Sequence, residues 1–151
     1  MVLEALLAYA HILAILTLVV FVGSSAALCR VEWLNAAAVQ RLARVDMIYS
    51  IAGIAVLLTG LARVIWGIKG VHWYGDNWLL HLKVGMFIVV ALLSIRPTLT
   101  IRRWARVVRA DGSLPEPAEI RRTRARIMGQ AHVIALIPLV AVFLARGYGG
   151  H

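Results

Sequence analysis

Residues 5–28 read ALLAYAHILAILTLVVFVGSSAAL, an unbroken apolar run in which one side chain, His11, titrates near neutral pH. A bilayer core is crossed by roughly 20 helical residues, so this run is long enough to span. Three further stretches qualify, at about Val45–Trp66, Trp78–Ile95 and Ile127–Ala145. Unpaired backbone groups are not tolerated in lipid, and nothing in these stretches alternates with period two as a barrel strand would, so each must be a helix. The expectation is an all-α integral membrane four-helix bundle, one transmembrane domain over residues 1–151 with a basic loop at 96–126. A hydrophobic share of 62% and a mean hydropathy of +0.84 exclude a water-soluble domain of this length.

The net charge of +9 is a topology signal rather than a nucleic-acid footprint. Arg30, Arg41 and Arg44 fall in or beside the first loop, and nine arginines between Arg96 and Arg126 fall in or beside the third. The opposite side receives Arg63, Lys69 and Arg146. The positive-inside rule then places loops one and three in the cytoplasm and both termini outside, with no nucleic-acid partner. Gly23-Ser24-Ser25-Ala26-Ala27 resembles a signal cleavage site, but no positive n-region precedes the run, which reads as a retained helix. The single cysteine, Cys29, allows no intramolecular disulfide and no CxxC pair, and reads as an inert residue at a helix end.

Along span two, Asp46, Tyr49, Ser50, Gly53, Leu57 and Gly60 follow alternating steps of three and four, which makes one packing stripe. Asp46, at the cytoplasmic entrance of the stripe, is expected to pair with an arginine such as Arg44 or Arg126 or to remain wet. Loop two, with Trp66, Trp73, Tyr74 and Trp78, suits an interfacial belt, and His72 reads as a solvated loop residue. Beyond span three, Ile101, Trp104, Val107 and Val108 form an apolar face among arginines, a pattern for a helical extension lying at anionic headgroups. Asp111-Gly112 breaks it, and Ser113-Leu114-Pro115-Glu116 reads as a capping box opening the next helix.

Ionisable side chains inside spans are costly and mark functional positions by default. With a rise of about 1.5 Å per residue, His11 lies roughly 9 Å below the outer edge, and His81 and Lys83 roughly 5 and 8 Å below it. His132 enters from the opposite side, roughly 20 Å away from that edge. A b-type haem asks for one or two axial ligands, an apolar slot and cations for its propionates. His11 supplies one ligand and His81 or Lys83 the other, so the iron would be held by His11 and, in one version, His81. Arg63 and Lys69 suit the propionates. His81 and Lys83 diverge by roughly 200° on a helix and compete for one role. A packed, hydrogen-bonded histidine is the plain alternative for His11 and for His132, and a snorkelling anchor is the plain alternative for Lys83. Zinc lacks a third close ligand, and the methionines are too scattered for copper.

The order Arg41-Leu42-Ala43-Arg44-Val45-Asp46-Met47-Ile48-Tyr49, Thr59-Gly60-Leu61-Ala62-Arg63-Val64, Leu82-Lys83-Val84-Gly85 and Leu92 to Thr98 resembles a bacterial family of small membrane proteins of unknown function, over essentially the whole chain. More remotely, Ala10-His11 and Trp78-Leu79-Leu80-His81-Leu82-Lys83 are similar to segments of the HemJ protoporphyrinogen oxidases, relatives of CopD-like membrane proteins. That resemblance implies four helices and haem at His11, with Lys83 at the family's lysine. One extra residue separates Trp78 from His81, and Met128-Gly129-Gln130-Ala131-His132 replaces the family's entrance to span four.

Two readings follow, ahead of a third, a proton-coupled carrier using Lys83, His132 and Asp46, which four spans without an evident repeat serve poorly. One is a protein binding a b-type haem near the periplasmic face and exchanging electrons, with quinone as a partner. The other is a non-catalytic subunit or assembly factor, partnered by other membrane subunits or by its own copies in the lipid bilayer.

Overall fold

A computed structural model describes residues 2–66 and 78–146, in four helices: α1 (Val2–Leu28), α2 (Ala36–Trp66), α3 (Trp78–Asp111) and α4 (Pro117–Ala145). All four have the length and hydropathy to cross a membrane. Lys69, His72, Trp73 and Tyr74 lie outside the described residues.

The helices close into a ring in which α1 packs on α2, α2 on α3, α3 on α4 and α4 on α1. Side-chain contacts fix the antiparallel register. On the α1–α2 seam His11 meets Thr59, and Leu18 lies over Gly53. On the α2–α3 seam Asp46 meets Thr98 and Gln40 donates to the Ala105 carbonyl. Trp104 Nε1 donates to Glu119 Oε2 at 3.0 Å between α3 and α4, and Arg124 Nε reaches the Ala26 carbonyl at 3.3 Å between α4 and α1. Arg103 also pairs with Glu119.

The core runs through Leu18, Val22, Leu42, Ala52, Val56, Val90, Ile101, Trp104 and Ile127. Leu16, Val20, Ile54, Leu58, Leu92 and Leu136 are all more than half exposed on the outer surface. That inversion suits lipid, where helices associate through packing and hydrogen bonds and apolar side chains can face the solvent. The chain is a multi-pass membrane protein with four spans, and its immediate partner is the bilayer.

The helices outrun the apolar stretches. Hydropathy marks contact with lipid, whereas α2 begins nine residues before Val45, where the Asn35 side chain caps the Ala38 N–H at 2.9 Å. At about 1.5 Å per residue, the 34 residues of α3 far exceed the hydrocarbon thickness. Its second half carries the expected apolar face, but Ile101, Trp104, Ala105 and Val108 are buried against α4 and the start of α2. The face is spent on protein rather than on headgroups, and Val107 is among its exposed members.

Gly112, at φ 76, ends α3 in the left-handed conformation, and its N–H bonds the Val108 carbonyl at 3.1 Å. The capping box expected at Ser113 does not form. The Ser113 N–H is taken by Asp111 Oδ1 at 2.8 Å. Residues preceding proline are pushed out of the helical region, which keeps Leu114 and Glu116 extended. The Glu116 carbonyl therefore caps α4 by accepting from Glu119 and Ile120, with Pro117 at the first helical position.

In the link from α1 to α2, Arg30 stacks on the Trp33 ring at 5.1 Å, and Cys29 is fully buried. Burial pushes its thiol up to about 11, against a smaller opposing pull from Arg124. The folded protein should therefore resist maleimide labelling at pH 8, with rapid reaction only on unfolding. Because the folded-state value lies above the ordinary 9.0, the stability contributed here is full below pH 9 and is lost as pH rises toward 11. A labelling rate equal to that of the unfolded chain would contradict the burial.

Candidate functional site

His11 is 4% exposed and lies on the inner stripe of α1 with Ala14, Leu18, Val22 and Ser25. Its Nδ1 is 2.8 Å from Thr59 Oγ1. The Thr59 hydroxyl has one hydrogen, which it gives to the Ala55 carbonyl at 2.6 Å. Giving it there makes Oγ1 the acceptor from His11, the arrangement in which Nδ1 carries the proton and Nε2 the lone pair. The ring lies over Gly60, where an added Cβ would stand 3.2 Å from His11 Cε1. Thr59 orients the imidazole and Gly60 makes room for it.

Arg63 and Lys83 are near enough to act on His11 electrostatically, and Arg63 acts on Lys83. Lys83 is half-buried on the stripe of α3 that carries Leu79 and Val90, whereas His81 is exposed on the other side of that helix. The bundle therefore brings Lys83, rather than His81, to the inside. The acidic side chains among the described residues are Glu4, Glu32, Asp46, Asp111, Glu116 and Glu119, of which only Glu4 shares this half of the bundle. The layer is cationic. Among the described residues no three His, Cys, Asp or Glu side chains gather as a metal-binding group.

The other half of the interior holds a second polar layer. Asp46, 4% exposed, accepts from Thr98 Oγ1 at 3.0 Å. The arginine partners expected for it, Arg44 and Arg126, are both exposed, and Arg102 is the cation that acts on it electrostatically. Tyr49 donates to Gln130 Oε1 at 3.2 Å. Leu57, assigned from the sequence to the packing stripe of α2, is 54% exposed; the buried stripe runs instead through Asp46, Tyr49, Ala52 and Val56, because a straight helix drifts off a strict heptad. His132 is exposed, its Nδ1 2.6 Å from the Met128 carbonyl one turn back.

Sequence reasoning missed Thr59, Thr98 and Gln130. Thr59 was legible in principle, since it precedes Gly60 at the depth of His11 in an antiparallel neighbour. Nothing local marked the other two.

Two substitutions separate the glycines of α2. A Cβ on Gly53 meets Leu18 Cδ1 at an ordinary 3.6 Å, so Gly53→Ala should stay within about 0.5 kcal/mol of wild type. Gly60→Ala should cost about 1–3 kcal/mol by overpacking, and Thr59→Val about 1–2 kcal/mol by stranding the His11 N–H. Reversible unfolding in mixed micelles measures all three, and equal effects of the two alanines would contradict the notch.

No curated protein and no solved structure matches the chain. The family described as "Predicted membrane protein (DUF2214)" matches residues 3–149, and the chain, with its four membrane-length helices, belongs to that family.

Proposed function

We propose that this protein binds one b-type haem in the half of the bundle that holds His11, and that it serves electron transfer or oxidoreduction with quinone or a small oxidant. The supporting observation is the His11–Thr59 pair. A ligating histidine commonly donates its other ring N–H to a neighbouring group, which fixes the tautomer and aims the free lone pair. His11 has that arrangement, with Nε2 as its coordinating atom. Lys83, on the inner stripe, stands as second ligand, and Arg63 suits a propionate. His81, on the exposed side of α3, would enter such a site only across a contact with a second copy. The donor set therefore fits a haem that His11 would hold. When bound, the group supplies one-electron exchange at iron; the chain's own part is to hold the imidazole, exclude water through the Leu18, Val56 and Val90 core and balance negative charge. The arginine bias puts this half toward the periplasm of a bacterial inner membrane.

A second reading is a non-catalytic membrane subunit. It is favoured by His81 and His132, which are exposed on outward faces of α3 and α4, whereas ionisable side chains in spans ordinarily face protein. It predicts stable co-purification with other membrane subunits.

An absorption spectrum after expression with haem supplementation decides between them. The haem reading predicts a Soret band in the wild type, its loss in His11→Ala and a shift of the band in Lys83→Ala. A wild type without the band contradicts it.

A further inference from the structure

Among the described residues, three buried side-chain oxygens have no protein partner, and all lie in the half of the bundle away from His11: Ser25 Oγ, Asp46 Oδ2 and Thr123 Oγ1. Ser25 and Asp46 are each 4% exposed and Thr123 is 1% exposed. A buried polar group left unpaired costs about 1–3 kcal/mol, so three in one region are not expected from packing alone.

The helix register places two of them at the same depth. From His11 at Thr59 the seam runs to Leu18 at Gly53. Seven residues further along α1 and seven back along α2 bring Ser25 level with Asp46. Thr98 of α3 stands at the same level, its hydrogen spent on Asp46 Oδ1. On α4, Thr123 lies between Ile120, whose carbonyl meets Cys29 Sγ, and Arg124, which meets Ala26. That is about half a turn, or 3 Å, nearer the arginine-rich end than Ser25.

The oxygens thus form a short file from that end to the Asp46 carboxyl. Further in, Tyr49 and Gln130 bond to each other, and the apolar side chains Leu18, Ala52, Val56 and Val90 separate the file from His11.

We propose that Thr123, Ser25 and Asp46 line a water-holding inlet from the arginine-rich end, at which Asp46 Oδ2 takes up and releases a proton. The chemistry is balanced: a hydronium in the inlet passes one proton to the carboxylate, giving a neutral carboxylic acid and water, and release reverses it. Buried waters bind between two to four polar partners, and the two hydroxyls and Oδ2 are three such groups within about half a turn of depth. The charged and titratable groups facing Asp46 are Arg102 from α3 and Tyr49 from α2 itself. At this level α1 offers Ser25, and α4 offers Thr123 and Gln130, none of which titrates. The apolar layer makes this a one-sided inlet. The inference does not depend on any group bound at His11.

Infrared difference spectra of the full chain in lipid nanodiscs, between alkaline and acid pH, test it. The wild type should gain the C=O band of a protonated carboxyl as pH falls, and Asp46→Asn should lack that band. Ser25→Ala should shift its frequency, and Thr123→Val should slow its deuterium exchange severalfold with the midpoint unchanged. A band that survives Asp46→Asn overturns the proposal. Should Asp46→Asn fail to fold, a band unmoved by both Ser25→Ala and Thr123→Val overturns it. A band that answers to sodium in place of choline at fixed pH, and not to pH, marks a metal-cation site and also overturns it.

Discussion

Within hydrocarbon a polar side chain finds a partner inside the protein or goes without, and that constraint sets the register of this bundle. Apolar packing alone would let one leucine-rich helix slide past another by a turn at little cost, because lipid is as good a neighbour as protein. His11 with Thr59, Asp46 with Thr98 and Tyr49 with Gln130 do not permit such a slide. Each of these pairs joins two helices, and together they tie α2 to α1, α3 and α4. Gly60, against which the His11 ring rests, shows the same constraint from the packing side: the missing side chain leaves the space in which the imidazole is housed.

The polar pairs fall into two layers of opposite character. The His11 layer is cationic, with Arg63 and Lys83 beside the imidazole, and its chemistry suits an anionic, iron-bearing macrocycle. The Asp46 layer is rich in hydroxyls and carries one carboxyl, close to the arginine-rich end, and its chemistry suits proton exchange. Between them lie the apolar side chains Leu18, Ala52, Val56 and Val90. A protein handling electrons in one layer and protons in the other would need such a partition.

Much of this architecture was legible in the residues. Length and hydropathy of the runs gave four helices, and the depth of His11 in the first run set it apart from His132. The limits of the reading have physical causes. Hydropathy reports lipid contact, so it stopped short of the Ala36 start of α2 and the Asp111 end of α3. Capping patterns compete, and the proline rule at Glu116-Pro117 overrode the Ser113 pattern. The competition between His81 and Lys83 was visible as a helical angle, but which of them faced inward depended on the neighbours of α3. Thr98 and Gln130 gave no local sign because a hydroxyl or an amide becomes functional only through what another helix places opposite it.

The account turns on the state of one ring. Nitrogen NMR of selectively labelled histidine in lipid, with His11 assigned by comparison with His11→Ala, reads it directly. The expected result is a neutral imidazole with its proton on Nδ1, coupled to Thr59, and an unprotonated Nε2; the opposite tautomer, or a shift indifferent to Thr59→Val, would contradict the His11–Thr59 pairing.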